Sequence, residues 1–133
     1  MYARKLEKDI RCPLEYGLGV FGGKWNSRII CVLAAKGVLR YGELRRELGN
    51  ITDAVLATTL KELIKNEMIE RISYDEIPPR VEYSLTKKGS SVVPILQSIC
   101  RWSGGFFAEE KEPSMIQCQK CDYKKMQVCI EEG

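Results

Sequence analysis

The first half of the chain repeats apolar residues at intervals of three to four, which is the spacing of amphipathic helices. Pro13 favours a helix start because proline fits the first helical turn, and Gly22 favours the end of that helix. A second helix is predicted to end at Gly37, a short third at Gly49, and a fourth covers 52–66. The apolar positions on these four helices are Leu14, Leu18, Phe21, Trp25, Ile29, Val32, Leu33, Leu44, Leu48, Leu56, Leu60, Leu63 and Ile64.

The period changes to two after the fourth helix, as it does in half-buried β-strands. Apolar and polar residues alternate over 69–74 and again over 81–86. The segment 75–80 between them contains two adjacent prolines, which do not fit inside a paired strand, so we expect it to form the tip of a hairpin. A last helix is predicted after Thr86, with a bend where Pro94 removes a helical hydrogen bond.

This order of elements is the plan of a winged helix-turn-helix, so we expect an α+β fold that is mainly helical. Four leucines would pack the third and fourth helices across each other and hold the fourth one rigidly outward. A helix of that diameter fits the major groove of DNA, and the two-stranded hairpin can reach the neighbouring minor groove. The predicted organisation is an N-terminal basic arm over 1–11, the folded domain over 12–102 and a cysteine-bearing extension over 103–133.

Composition excludes several classes of protein. The 133 residues contain no histidine, which excludes Ser-His-Asp and Cys-His nucleophiles as well as His-Glu-x-x-His zinc proteases. No apolar run approaches the roughly 20 residues that cross a bilayer. The charged N-terminus also lacks the apolar core of a signal peptide. We therefore expect a cytoplasmic protein that has no membrane partner and uses none of these catalytic systems.

The charge is unevenly distributed along the chain. Residues 103–133 hold four lysines against six acidic residues, a net charge of −2. Because the whole chain carries +3, the first 102 residues carry +5. A basic body with an acidic extension is compatible with a DNA-binding protein, although many enzymes have a similar balance.

Five short motifs, in order along 12–102, resemble those of the HxlR-type transcriptional regulators, which are winged-helix proteins related to the MarR type. The resemblance implies a homodimer, formed through the N- and C-terminal helices, that binds a pseudo-palindromic operator in double-stranded DNA. It also implies that Cys12 occupies the place of a cysteine that senses electrophiles or oxidants in some members. The motifs are Cys12-Pro13-Leu14-Glu15-Tyr16, Gly22-Gly23-Lys24-Trp25, Arg40-Tyr41-Gly42-Glu43-Leu44-Arg45, Ile77-Pro78-Pro79-Arg80-Val81-Glu82-Tyr83 and Leu85-Thr86-Lys87-Lys88-Gly89.

The predicted recognition helix departs from the family pattern at two positions. Ala54 and Thr59 stand where such proteins often have a lysine and an arginine that contact guanine or phosphate. This loss keeps open the alternative of a winged-helix interaction module that no longer binds DNA. The remaining candidates for base contact are Thr52, Val55, Thr58 and Thr59, and those for phosphate or groove contact are Arg40, Arg45, Arg46, Lys61, Lys65 and Arg80.

The cysteines leave several alternatives open. Cys12 precedes a helix start, where the helix dipole favours a thiolate, but a cysteine there can equally fill a dimer contact. Cys118 and Cys121 form a Cys-x-x-Cys pair, and Cys129 follows it. These three sulfurs could bind a structural zinc, stay free or form a switchable disulfide. A thioredoxin-like oxidoreductase is disfavoured because no βαβ pattern surrounds the pair.

Overall fold

The computed structural model describes residues 9–106. The C-terminal cysteines and nearly all of the predicted N-terminal arm lie outside these residues. The elements, in chain order, are α1 (Pro13–Phe21), α2 (Lys24–Lys36), β1 (Leu39–Arg40), α3 (Tyr41–Leu48), α4 (Asp53–Lys65), β2 (Ile69–Tyr74), β3 (Arg80–Leu85), α5 (Lys87–Ser91) and α6 (Val93–Gly104). None of the helices within 9–106 is long and apolar enough to cross a membrane.

The hydrophobic core lies where α2, α3 and α4 meet the sheet. Ile29 and Ile30 of α2 are completely buried, as are Leu44 of α3 and Leu56 of α4. Leu48 and Leu60 are buried in the same core. The predicted burial of all four leucines is therefore confirmed. Burial of each leucine contributes about 1.5–3 kcal/mol relative to an exposed side chain, which holds α3 and α4 against the core.

The sheet has three antiparallel strands in the order β1-β3-β2, one more than the sequence predicted. Strands β2 and β3 form the expected hairpin, with Ile69 opposite Leu85 and Tyr74 opposite Arg80. The additional strand is only two residues long and pairs Leu39 with Tyr83. A two-residue strand is too short to show alternation, so the sequence pattern did not reveal it.

The C-terminal part of the domain corrects the prediction of a single bent helix. Two helices are present, and Val92 lies between α5 and α6. Pro94 falls in the first turn of α6, where the missing N–H has no helical partner to lose. Thr86 caps α5 as predicted, because its Oγ1 accepts a hydrogen bond from the Gly89 N–H at 3.0 Å.

A tight turn ends α4, and Thr86 ties this turn to the start of α5. The Met68 N–H donates to Leu63 O at 2.8 Å, and the Glu67 N–H donates to Ile64 O at 2.9 Å. These paired hydrogen bonds form a Schellman turn, in which Glu67 adopts the left-handed conformation with φ at 63°. The Thr86 N–H donates to Met68 O at 3.0 Å, and the Thr86 Oγ1 donates to Glu67 O at 2.5 Å and lies 3.1 Å from Met68 O.

Candidate DNA interface

The turn between α3 and α4 fixes where the recognition helix begins. Thr52 is the N-cap of α4, and its Oγ1 accepts a hydrogen bond from the Val55 N–H at 3.2 Å. Ile51, just before the cap, is buried in the core. At the start of α3, a Glu43 carboxylate oxygen accepts from the Arg40 N–H at 2.9 Å. Both helix starts are thus satisfied by local hydrogen bonds, which sets the direction of α4.

The outward side of α4 carries the polar candidates. Ala54, Thr58, Lys61 and Lys65 follow one another at intervals of four, three and four, so they lie along one side of the helix. All four are exposed, and the buried leucines lie on the opposite side. Val55 flanks this side and is exposed as well. The structure therefore brings Thr58, Lys61 and Lys65 together on the surface that a groove would meet.

Thr59 requires a correction, because it does not belong to this outward side. Only 6% of its surface is exposed. Its Oγ1 donates a hydrogen bond to Val55 O at 2.7 Å, within the same helix. The helical period places Thr59 next to the leucine side, and a threonine hydroxyl can satisfy itself on the preceding turn there. A base contact by Thr59 is therefore wrong for this conformation.

Arg45 is occupied by an acidic neighbour on the recognition helix. Its Nε lies 2.8 Å from an Asp53 carboxylate oxygen, and the Tyr41 hydroxyl donates to the same oxygen at 3.0 Å. Partial burial and this hydrogen bond raise the pKa of Tyr41 above its usual value. The cluster joins α3 to the first turn of α4, and it leaves Arg45 largely neutralised. The two glutamates of α3 have other partners: Glu43 accepts from the Arg40 N–H, and Glu47 lies 3.8 Å from Lys36 Nζ.

Four of the other candidate phosphate contacts have exposed side chains: Arg40, Arg46, Lys61 and Lys65. Within residues 9–106, none of these four cations forms an ion pair. Arg46 points directly away from the core because it follows the buried Leu44 by two helical positions. These side chains are the ones that the fold leaves available to phosphates.

The wing arginine corrects the expectation of a freely projecting side chain. Arg80 Nη2 donates to a Glu76 carboxylate oxygen at 2.9 Å, and its Nη1 lies 3.4 Å from Glu82. Its guanidinium carbon also lies 3.9 Å from the centre of the Tyr74 ring. With two carboxylates beside it and an aromatic face beneath it, Arg80 is a structural part of the wing rather than a free cation. Asp75 and Glu76 make the tip itself acidic.

Two exposed apolar faces lie away from the recognition helix. On α1, Leu14 is 68% exposed and Leu18 is half exposed. On α6, Ile95 and Ile99 are exposed, and Trp102 is 72% exposed. Among the apolar residues of 92–102, Val92 and Leu96 are buried, while Ile99 and Trp102 are exposed. Contiguous apolar side chains on terminal helices are typical of a surface that another chain covers.

The cysteines occupy different environments. Cys12 is exposed at the N-cap of α1, where its side chain makes no capping hydrogen bond. Cys31 and Cys100 are partly buried, and Cys31 packs against the core as predicted. Within 9–106 no group of cysteine or acidic side chains could hold a metal ion. Cys118, Cys121 and Cys129 lie outside the described residues, so zinc there stays a prediction, which metal analysis of the reduced protein would test.

The family model described as HxlR-like helix-turn-helix matches residues 20–111. The chain belongs to this family. An HTH-type transcriptional regulator of Methanothermobacter thermautotrophicus is 44% identical over 108 residues, which are 81% of each chain. This HxlR-type protein is accordingly a transcriptional regulator, and the resemblance drawn from its motifs is confirmed.

Solved structures agree with the HxlR-type fold. A transcriptional regulator of the MarR family from Porphyromonas gingivalis W83 is 37% identical, with a TM-score of 0.68 over 74% of this chain and 96% of that one. The redox regulator HypR in its oxidised form is 35% identical, with a TM-score of 0.66 over 73% of this chain and 99% of that one. The winged-helix prediction is therefore confirmed at the level of the fold.

Sequence reasoning missed the acidic partners of the two arginines. Asp53, in the first turn of α4, binds Arg45. Glu76 and Arg80 flank the Pro-Pro tip, and the hairpin register places Tyr74 opposite Arg80. That register was the available signal, because residues on either side of a tight tip become cross-strand neighbours.

Proposed function

We propose that this HxlR-type regulator binds operator DNA through α4, as a homodimer and without catalysis. The observation that carries the proposal is the exposed side of α4, with Thr58, Lys61 and Lys65 in line above a base of buried leucines. The threonine hydroxyl can contact base edges, while the lysines can neutralise phosphates. Val55 offers an apolar contact to thymine methyl groups.

The structure favours a smaller set of phosphate contacts than the sequence suggested. Arg40 just before α3, Arg46 on α3 and the two lysines of α4 are exposed and form no ion pair within the described residues. Arg45 and Arg80, by contrast, are paired with carboxylates. Because a paired cation must give up its partner before it can neutralise a phosphate, we expect these two arginines to contribute less.

Dimerisation is supported by the exposed apolar faces of α1 and α6. Burial of Leu14, Ile99 and Trp102 between two copies would remove side chains from water that are otherwise costly to expose. A two-fold dimer presents two copies of α4, so the operator would hold two half-sites about one helical turn of DNA, or a multiple, apart.

A thiol response is a further part of the proposal. It is supported by the exposure of Cys12 and by the similarity to HypR, which is described as a redox regulator. Alkylation of the Cys12 sulfur by an electrophile would place a bulky group at the start of α1, next to the expected dimer surface. Titration with operator DNA before and after alkylation tests this, and Cys12→Ser should abolish the change.

Fluorescence anisotropy with DNA from the protein's own promoter tests the main proposal. Affinity should fall steeply with salt, since each phosphate contact contributes a slope of about 0.9 in a plot of log K against log salt. Arg46→Ala should remove about one such contact in each subunit, which is about two in the dimer. Arg45→Ala is the matched control, one residue away and of equal charge, and its slope should change less. Affinity that does not depend on salt would contradict DNA binding and favour the interaction-module alternative.

A further inference from the structure

A lysine at the start of α5 connects two elements that are distant in sequence. The Lys88 Nζ donates to the Tyr16 hydroxyl at 2.9 Å and to Asn66 O at 2.9 Å. The same ammonium lies 5.5 Å from the centre of the Tyr16 ring. Residues 72 positions apart along the chain are therefore joined through one side chain.

The two contacts join elements with different expected roles, the dimer surface and the recognition helix. Tyr16 lies on α1, whose exposed apolar face is the expected dimer surface. Asn66 is the C-cap of α4, the recognition helix, and its side chain donates to Glu62 O at 3.1 Å. Because the C-terminal end of a helix carries partial negative charge, a cation bound there is favourably placed. Lys88 therefore connects α1 to the C-terminal end of the recognition helix, which carries partial negative charge.

Helix α2 packs against both α1 and α4, so it couples these two helices through the core. The link through Lys88 adds a direct connection to the end of α4. With 13 residues, α4 is about 20 Å long, so a change in its tilt at one end displaces Thr58 and the groove-facing lysines. Base contacts tolerate only a few tenths of an ångström, because hydrogen bonds weaken steeply outside about 2.7–3.2 Å.

We propose that Lys88 is a positioning residue that sets the orientation of α4 relative to the dimer surface on α1. This inference rests on the proposed function, since it concerns how two copies of α4 match the spacing of two half-sites. In the dimer, Lys88 acts once in each subunit, so any change in its link to α1 alters both recognition helices together. Lys88 itself need not touch DNA.

A direct phosphate contact by Lys88 is the main competing explanation, and Tyr16→Phe separates the two. That variant removes the hydroxyl that accepts from Lys88 but leaves every charge in place. Lys88→Met removes both the link and the charge. Lys87→Met is the matched control, because Lys87 is the adjacent exposed lysine on the same helix and makes neither contact.

The experiment measures operator affinity for these variants on the natural promoter site and on sites whose half-site spacing is changed by one base pair. Dimer dissociation and thermal unfolding are measured alongside. Lys88→Met and Tyr16→Phe should each weaken binding to the natural site by roughly three- to tenfold. The double variant should bind no worse than Lys88→Met, and all three should discriminate less between spacings. Lys88→Arg should restore part of the loss.

Several results would overturn the inference. Equal effects of Lys88→Met and Lys87→Met, or a uniform loss at all spacings, would identify Lys88 as an ordinary phosphate contact. A normal affinity for Tyr16→Phe would also indicate a phosphate contact. A loss of affinity that is explained fully by weaker dimerisation would refute the positioning role of Lys88. If the unmodified protein binds no DNA, the proposed function fails and this inference with it, which the wild-type titration shows independently.

Discussion

Gly89 lies where α5 passes closest to the turn after the recognition helix, and Gly89→Ala tests that contact. A β-carbon at this position would lie 2.0 Å from Met68 O and 3.2 Å from Leu85 Cδ2. The carbonyl belongs to the backbone and has no rotamer through which to escape. To reach an ordinary contact distance, α5 and the turn after α4 must separate by roughly 1.5 Å.

The cost can be worked out from the hydrogen bonds at the same carbonyl. Met68 O accepts from the Thr86 N–H at 3.0 Å, and the Thr86 Oγ1 lies 2.5 Å from Glu67 O and 3.1 Å from Met68 O. Separation weakens the bond from the N–H and the bond from the hydroxyl, at about 1 kcal/mol each. Overpacking adds about 1–3 kcal/mol, and the better helix propensity of alanine returns up to about 1 kcal/mol. We expect the free energy of unfolding to fall by about 2–4 kcal/mol, a large part of the total for a domain of this size.

Urea and thermal unfolding followed by circular dichroism measure this loss. The thermal midpoint should fall by at least about 8 °C. Gly42→Ala is the matched control, because it also lies in a helix and has no atom within 4 Å of the added carbon. That variant should be as stable as the parent or slightly more so. If Gly89→Ala unfolds at the same midpoint as Gly42→Ala, the close contact between α5 and the turn after α4 is refuted.

Two further variants test individual features of the fold. Glu67→Gly should raise the free energy of unfolding by about 1 kcal/mol, because Glu67 is left-handed with φ at 63° and only glycine adopts this conformation without a steric cost; an unchanged urea midpoint would contradict this. Tyr41→Phe tests the stability of the domain at alkaline pH. Because the folded-state pKa of Tyr41 is raised, the contribution of Tyr41 to the free energy of unfolding is complete below pH of about 10. This contribution is lost as the pH rises through the folded-state pKa. Above pH of about 10 the wild type should therefore lose stability more steeply than Tyr41→Phe, and parallel curves would show that the tyrosine is not responsible.

The helices of the domain could be predicted closely because the spacing of their apolar residues defines the one face of each helix that can be buried. Leu44, Leu48, Leu56 and Leu60 share a spacing that places them on facing sides of two helices, and all four are buried. Helix α4 begins where the sequence predicts, because the Thr52 side chain accepts a hydrogen bond from the first turn and caps the helix. The third strand and the division of the last helix were missed because each depends on a neighbouring element rather than on a local pattern.

The sequence predicts which helix forms the candidate site, but it does not predict which basic side chains are held in ion pairs. Periodicity alone separates Thr58 and Lys61, which face outward, from Thr59, whose place near the leucine side could have been read from the same spacing. Nothing in the linear pattern showed that Asp53 neutralises Arg45 or that Glu76 binds Arg80. These pairs form across a turn and across a hairpin tip.

The sequence by itself determined the family, the order of the elements and the helix that faces outward, because apolar spacing and turn residues act over only a few positions. Tertiary structure alone decided which cations stay available, how Lys88 joins α1 to the end of α4, and which apolar side chains remain exposed. The physical reason is that a hydrogen bond or an ion pair requires atoms within about 3 Å, and only the folded chain brings distant residues that close.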